Sequence, residues 1–441
     1  MIKHIILVFA LLFSLSISAK SVISEIKYPT EVVNSEFYEK LKALDKVVSV
    51  EKLKTDLFSE KYLIKVEQPI DHTDFSKGTF TQRVIVSHSG YENPVVLVCE
   101  GYGATSVMKP TYKEELTTKL GANQVFVEHR YFLESTPEDC DWQYMTGKNA
   151  AADLHNINNM LKELYSGKWI STGISKGGHN TMIYRTYYPD DVDFSVPYVG
   201  PVCFGVEDGR HEPYIANCGT EEERTAILEF QKEILRRKEA LNPMLYAYAE
   251  EKNMNFRIPK EEVLDYCVLE YSFSFWQWGS KISEIPALDS SDKELFDYLM
   301  KLSGAEYFGI PSHEPFFVQA YAELGYYGYD IKPFKGLLTI DSSKGYLERA
   351  FLPEEAKNLK FNHELHKDIY SFLKKNDPKM IFIYGEVDPW SAVMPNEKLF
   401  KGKNNMKLYI KERGSHSTRI SSMDEDVKNE IWNQINDWLN E

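Results

Sequence analysis

The sequence predicts an α/β fold in which a mostly parallel sheet is interrupted by a helical insertion. Two observations support this prediction. Between residues 94 and 201, apolar strand-like runs alternate with segments of helical apolar spacing, which is typical of parallel strands with helices on both faces. Helical patterns then dominate residues 205–345, and strand-like sequence returns at 378–389 and 406–416.

The elements are predicted in chain order from their apolar periodicity. Residues 20–60 have no clear period, so we expect an irregular N-terminal arm, and 61–69 and 79–87 predict antiparallel strands. The remaining predictions are strands at 94–103, 124–132, 168–173 and 192–201, and helices at 150–166, 175–189 and 425–441.

We therefore expect one core that is divided by a cap. The predicted segments are a signal peptide at 1–19, the first part of the core at 20–204, a helical cap at 205–345 and the rest of the core at 346–441. A length of 441 residues accommodates this arrangement.

Composition and charge exclude several classes of protein. Apolar residues make up 43% and charged residues 27%, which excludes wholesale disorder. The chain carries 51 Lys and Arg against 66 Asp and Glu, for a net charge of −15. Such an acidic chain lacks the basic surface that nucleic acids or anionic membranes attract, so we expect neither as a stable partner.

The N-terminus has the pattern of a secretory signal peptide. Lys3 precedes an apolar run at 5–17, and the small residues Ser16, Ser18 and Ala19 suit cleavage. A membrane anchor is the alternative, but the run is short for a span of about 20 residues. The sequence thus predicts export to the periplasm or the medium.

Cysteine usage is consistent with an exported protein. Cys203 and Cys218 flank a loop-like segment and are the best candidates for a disulfide, while the odd total of five leaves at least one free thiol. The paired spacing of a zinc site is absent from the sequence, and we expect no metal.

The segment GISKGG at 173–178 has the pattern of a nucleophile elbow. A strand pattern leads into it and a helix pattern follows, which is the context that G-x-S-x-G requires. We expect Ser175 to be the nucleophile and the N–H of Lys176 to hold an oxyanion. The alternative is a Gly-rich helix start without catalysis.

Two further residues complete a catalytic pattern. Asp388 ends an apolar strand and is predicted to orient the base, with Glu386 as a competitor and a simple turn before Pro389 as the alternative. His416 follows the next strand and is predicted to be the general base. The order Ser, Asp, His is that of α/β hydrolases, and the insertion falls where a lid would lie.

Several segments resemble the secreted tripeptidyl aminopeptidase family of serine peptidases, relatives of prolyl carboxypeptidase and dipeptidyl peptidase II. The resemblance implies an α/β-hydrolase core under a helical cap, the triad of Ser175, Asp388 and His416, and removal of short peptides from free N-termini. It implies no cofactor. The segments are CEGYG (99–103), VEHRYF (127–132), AADLHNI (151–157), KWISTGISKGG (168–178), YYPDDVDFSVPYVGPV (187–202), AELGYYGYD (322–330), GEVDPWSA (385–392) and GSHS (414–417).

The resemblance directs attention to groups that would bind a peptide. The second oxyanion donor is expected to be the N–H of Tyr102, with Gly101 beside it. A carboxylate must bind the substrate ammonium group, and the candidates are Glu100, Glu323, Glu207 and Glu128, although Glu128 is expected to pair with Arg130. Aromatic residues of the cap either line an apolar pocket or pack in its core: Trp276, Trp278, Tyr326 and Tyr327.

The motifs and the resemblance are compatible with three functions. The first is a secreted serine exopeptidase that releases short peptides, expected to be tripeptides, through an acyl-enzyme. The second is a secreted carboxylesterase or lipase with the same triad, because the acyl chemistry is shared. The third is a binding protein on this fold, which would usually lack a member of the triad.

Overall fold

A computed structural model describes residues 35–310 and 313–441 of the chain. The predicted signal peptide at 1–19 lies outside the described residues. Within the described residues, nine strands form one sheet in the order β1-β2-β3-β5-β4-β6-β7-β8-β9. The strands are β1 Val47–Lys52, β2 Glu60–Pro69, β3 Thr79–His88, β4 Val95–Cys99, β5 Asn123–Val127, β6 Trp169–Ile174, β7 Phe194–Tyr198, β8 Met380–Gly385 and β9 Met406–Lys411.

The sheet is antiparallel at one side and parallel over the rest. The first three strands pair antiparallel, and β3 also pairs antiparallel with β5. From β5 to β9, all neighbours are parallel, so their carboxyl ends lie at one edge. In such sheets, this edge is where functional loops collect.

Helices of the core cover both faces of the sheet. They are α1 Glu36–Ala43, α2 Glu115–Leu120, α3 Gly147–Lys162 and α4 Lys176–Tyr187, with α12 and α13 defined below. Strand β4 shows the two-sided burial directly. Val95 and Leu97 pack with α1, α3 and α4, whereas Val96 and Val98 pack on the opposite face with α2 and α13.

Within the described residues, the chain between β7 and β8 contains helices and turns but none of the named strands. These helices are α5 His211–Ile215, α6 Glu221–Arg236, α7 Lys238–Glu251, α8 Lys260–Trp278, α9 Asp292–Ser303, α10 Glu314–Gln319, α11 Tyr346–Phe351 and α12 Glu364–Lys375, and α13 Glu425–Asn440 ends the chain. Helices α6 to α11 bury their apolar faces in a cluster of their own, dominated by aromatic rings. This cluster gives the cap a core that is separate from the two faces of the sheet.

The N-terminal arm differs from the prediction. Residues 20–60 were expected to be irregular, but α1 and the edge strand β1 lie within them. Strand β1 is an edge strand that exposes much of its surface, so its sequence lacks the apolar alternation that marks the buried strands. Phe37 of α1 is buried and stacks on His88 at 4.1 Å between ring centroids.

A buried ion pair fixes α3 beside the segment that directly follows β5. The Arg130 guanidinium donates to both carboxylate oxygens of Asp153 at 2.8 Å, and both side chains are fully buried. His72 Nε2 also lies 2.7 Å from Asp153. The expectation that Glu128 pairs with Arg130 is therefore wrong, because Glu128 pairs with Arg83 at 2.9 Å.

Breaking this buried pair should destabilise the protein strongly. Asp153→Asn removes the negative charge and leaves the Arg130 guanidinium buried without a counter-ion, which costs about 3–5 kcal/mol. The measurement is the free energy of unfolding in urea. Lys293→Ala, which breaks an exposed pair with Asp297, is the control and should change stability by less than about 0.5 kcal/mol. Similar losses in the two variants would contradict this ranking.

Candidate active site

Ser175 stands on the sharp turn that joins β6 to α4, as the elbow motif predicts. Its backbone has φ 59° and ψ −120°, an unfavourable conformation for a residue with a side chain. The turn is held by a bond of 2.9 Å from the Ser175 N–H to the Tyr198 carbonyl. This geometry lifts the hydroxyl above the sheet, where it makes no hydrogen bond to any described residue.

The glycines around Ser175 are required by close approach of the backbone. A Cβ atom on Gly173 would lie 2.2 Å from the Gly177 carbonyl oxygen, and one on Gly178 would lie 2.4 Å from the Tyr198 oxygen. A side chain at either position would therefore push α4 away from the sheet. The elbow is a consequence of this packing between β6, β7 and α4.

Asp388 and His416 meet at the carboxyl edge of the two neighbouring strands β8 and β9. The His416 Nδ1–H donates to Asp388 Oδ2 at 2.7 Å, and both side chains are buried. The other carboxylate oxygen of Asp388 accepts from the Trp390 N–H at 3.2 Å. The bond from His416 Nδ1–H to Asp388 fixes the imidazole tautomer and leaves Nε2 as the basic nitrogen of the ring.

Glu386, the competitor for the orienting role, is occupied elsewhere. Its side chain is exposed and accepts a hydrogen bond of 2.8 Å from the Arg413 N–H. Among the two carboxylates that follow β8, Asp388 is thus the one bonded to the imidazole.

The cap contacts the histidine directly. The His416 N–H donates to the Gln277 carbonyl at 3.0 Å, at the end of α8. The ring of the half-exposed Trp278 lies 6.3 Å from the imidazole, and that of Trp390 lies at 6.5 Å. Sequence analysis could not predict the contact with Gln277, because it joins backbone atoms and carries no side-chain signal.

The loop after β4 differs from the expected oxyanion arrangement. The Tyr102 N–H, predicted as the second donor, already donates to Glu100 Oε1 at 3.0 Å. Gly101 packs against the stem of Lys176, since a Cβ on Gly101 would lie 2.7 Å from the Lys176 Cβ. The Gly101 N–H also interacts with the Glu100 carboxylate, so Glu100 contacts both N–H groups that were considered for the oxyanion site.

Lys176, which follows Ser175, has an unusually buried side chain for a lysine. It is 2% exposed, and its Nζ has no hydrogen-bond partner among the described residues. The ammonium lies 5.4 Å from the ring centroid of Phe132 and 5.8 Å from that of Tyr102. Burial lowers the pKa of Lys176 to about 7, although Glu100 and Glu323 oppose this.

The candidate carboxylates occupy different surroundings. Burial raises the pKa of both Glu100 and Glu323 to about 7, with Lys176 acting in the opposite direction. Glu207 accepts from the Gly345 N–H at 2.6 Å and caps α11. Glu128 is fully buried and also accepts from the Ala104 N–H and the Ser135 hydroxyl.

Aromatic residues connect the β4 loop to the histidine. Phe316 lies 5.5 Å from Tyr102 and 5.7 Å from Tyr326, and Tyr326 lies 5.4 Å from Trp390. We call Tyr102, Phe316, Tyr326 and Trp390 the aromatic wall. Trp276, also predicted as a pocket residue, packs against Gly219 in the cap core, and Tyr326 and Trp390 are buried in the same cluster.

The predicted disulfide is not formed. All five cysteines lie among the described residues, and all are free thiols. The Cys218 thiol donates to the Val387 carbonyl at 3.5 Å, whereas Cys203 packs against Gly325. The two residues were close in sequence, but they are directed toward different partners.

Metal-binding groups and membrane-spanning helices are both absent from the described part of the chain. No group of three or more His, Cys, Asp or Glu side chains there has an arrangement suited to a metal ion. No helix in the same residues has the length and apolar character needed to cross a membrane.

Comparisons with known proteins show the family of this chain. The sequence model described as PS-10 peptidase S37 matches residues 39–440. Prolyl tri/tetrapeptidyl aminopeptidase of Streptomyces mobaraensis is 28% identical over 390 residues, which cover 86% of this chain and 80% of that protein. Lysosomal Pro-X carboxypeptidase of Bos taurus is 26% identical over 155 residues, or 29% of this chain and 30% of that protein.

Among solved structures, VinJ has a TM-score of 0.43 at 14% identity, over 85% of this chain and 98% of that chain. The fold and the family match together define a serine-type peptidase with an α/β-hydrolase fold. The chain belongs to the PS-10 peptidase S37 family.

Replacing Gly173 tests whether the elbow depends on close packing. Gly173→Ala places a methyl group against the Gly177 carbonyl and should cost at least about 3 kcal/mol of stability, with loss of activity. Thermal unfolding measures the change. Gly205→Ala is the matched control, because an added Cβ there meets nothing within 4 Å. A Gly173 variant as stable as this control would contradict the packing argument.

Proposed function

We propose that the protein is a serine exopeptidase that releases short peptides, tripeptides in particular, from free N-termini. The observation that carries the proposal is the bond between His416 and Asp388 at the same sheet edge as the strained Ser175. The aminopeptidase named above is similar over most of its length, which supports peptides as substrates. A carboxylesterase or lipase would use the same triad and is separated from this proposal by substrate.

The mechanism follows from the tautomer of the His416 imidazole, in which Nδ1 carries the proton and Nε2 is free to accept one. His416 Nε2 accepts the Ser175 proton while Asp388 stabilises the resulting imidazolium. The Ser175 oxygen attacks the peptide carbonyl, and the N–H groups of Lys176 and the Gly101 loop hold the oxyanion. The amine leaves with the proton from His416. His416 then accepts a proton from water, the water attacks the acyl-enzyme, and the Ser175 oxygen leaves with that proton.

The aromatic wall supports an apolar residue before the cut. Its rings lie between the β4 loop and His416, so a flat apolar side chain would find stacking partners beside the reacting carbonyl. Proline is such a residue, and the name of the Streptomyces relative includes it.

Hydrolysis of tripeptide p-nitroanilides tests the function. The wild type should cleave Ala-Ala-Pro or Ala-Ala-Ala substrates with free N-termini much faster than their acetylated forms. Ser175→Ala should lower kcat by at least about a thousandfold, because the nucleophile is lost. Ser166→Ala, an exposed serine before the same strand, is the control and should retain full activity.

Three other outcomes would redirect the proposal. Equal cleavage of blocked peptides would indicate an endopeptidase. Turnover of short acyl esters without peptide cleavage would favour the esterase. Full activity in the Ser175 variant would exclude this triad.

We also propose that the protein is exported and processed after Ala19. The support is the sequence alone: Lys3, the apolar run at 5–17 and the small residues before Lys20. Intact-mass measurement of the protein from the periplasm or medium should give a chain that begins near Lys20. A full-length chain that remains in the membrane fraction would contradict the proposal.

A further inference from the structure

Glu323 lies where the cap meets the core, in a π-helical turn at Ala320–Leu324. Its Oε1 accepts from the Gly147 N–H at the start of α3 and from Gln319 Nε2 at 2.9 Å. Both bonds end on the same oxygen, and Oε2 receives no hydrogen bond from any described residue. π-Helical turns are uncommon and occur frequently at functional sites.

Gln319 provides a second free acceptor beside this carboxylate. Its side chain is fully buried, and its Oε1 has no donor within the described part of the chain. Buried carbonyl oxygens nearly always accept a hydrogen bond, so this oxygen can accept one from a water or a ligand. Glu323 Oε2 and Gln319 Oε1 thus form a pair of acceptors without donors. An ammonium group carries three donors and no acceptor, which is the complementary pattern.

The charges nearby require the same kind of ligand. Lys176 interacts electrostatically with both Glu100 and Glu323, but its Nζ makes no hydrogen bond or ion pair with either carboxylate. Two carboxylates and one ammonium sum to −2 + 1 = −1 when all three are ionised. A ligand with one positive charge would neutralise this buried cluster. Lys176 follows Ser175 directly, so the cluster adjoins the reacting centre.

The other candidate carboxylates are less available. Glu100 Oε1 is bonded to the Tyr102 N–H, and Glu207 Oε1 is bonded to the Gly345 N–H. Glu128 is bonded to Arg83 through a fully buried ion pair. Among the described residues, Glu100 also has a free Oε2 and lies beside Asn180, whose buried Oδ1 lacks a donor, but its carboxylate is tied to its own loop through the Tyr102 N–H. Glu323 instead lies on the cap, with a free oxygen next to the buried acceptor of Gln319.

We propose that Glu323 and Gln319 bind the α-ammonium group of the peptide substrate. This inference rests on the proposed exopeptidase function and assigns its requirement for a free N-terminus to one site. The acyl portion of the substrate then extends from the ammonium at the Glu323 turn to the carbonyl at Ser175. The distance between these two points sets the length of the peptide that is released.

The competing role for Glu323 is structural, since it links the first turn of α3 to the cap. Glu323→Gln separates the two roles. The amide keeps the size of the side chain and an oxygen for the Gly147 N–H, but it removes the charge. If the role of Glu323 is purely structural, Glu323→Gln should therefore retain the wild-type selectivity for free over acetylated N-termini.

The readout is kcat/KM for a tripeptide p-nitroanilide with a free N-terminus, divided by kcat/KM for its acetylated form. In Glu323→Gln, this ratio should fall by about 10- to 100-fold, mainly through a higher KM for the free peptide, because a charge-assisted bond is lost. Glu207→Gln is the matched control: it makes the same chemical change in the cap, at a carboxylate bonded to Gly345, and should keep the wild-type ratio.

A second variant guards against misfolding of the first. Gln319→Met keeps the volume of the side chain and leaves the Glu323 bond to Gly147 in place, and it should raise KM for free peptides several-fold. An unchanged ratio in both variants, with hydrolysis still dependent on Ser175, would overturn this assignment and leave the proposed function intact. Equal losses for free and acetylated peptides would also overturn it. Absence of Ser175-dependent peptide cleavage in the wild type would instead overturn the proposed function.

Discussion

The conformation of Ser175 is the constraint on which the rest of the site depends. A residue at φ 59° persists only where its surroundings hold it, and here the restraint is close contact between backbone atoms of β6, β7 and α4. The same contacts fix the start of α4 and the N–H of Lys176. They also place the Lys176 side chain against Gly101, so one turn orients the Ser175 hydroxyl, the Lys176 N–H and a buried amine.

The cap makes direct contacts with residues of the candidate site and of the core. The end of α8 bonds to the backbone of His416, and the turn that carries Glu323 bonds to the start of α3. The cap has its own aromatic core, which gives these contacts a rigid support. The two ends of a bound peptide would therefore meet groups whose positions are fixed by the same helical unit.

The core strands and the motif residues could be predicted because each has a strong local signal. Strands such as β4 and β8 are apolar and buried throughout, and Ser175, Asp388 and His416 lie shortly after the ends of β6, β8 and β9. Features without a local sequence signal were either not predicted or predicted wrongly. The edge strand β1 is half-exposed, and the partner of Glu128 is Arg83, which the sheet alone brings near.

Nearness in sequence was a poor guide to side-chain contacts. Cys203 and Cys218 are fifteen positions apart yet point to different partners. The acceptor pair of Glu323 and Gln319 could not be predicted either. Its significance depends on which oxygen each donor reaches, which sequence does not encode.

The bond between Gln277 and the backbone of His416 has a consequence for regulation of proteolysis. Movement of α8 away from the core would break this bond and release the loop that carries His416. An open cap would then admit large polypeptides only while the base is out of alignment. Entry of bulky chains and chemical competence would be mutually exclusive, which restricts cleavage to short ends that fit beneath the closed cap.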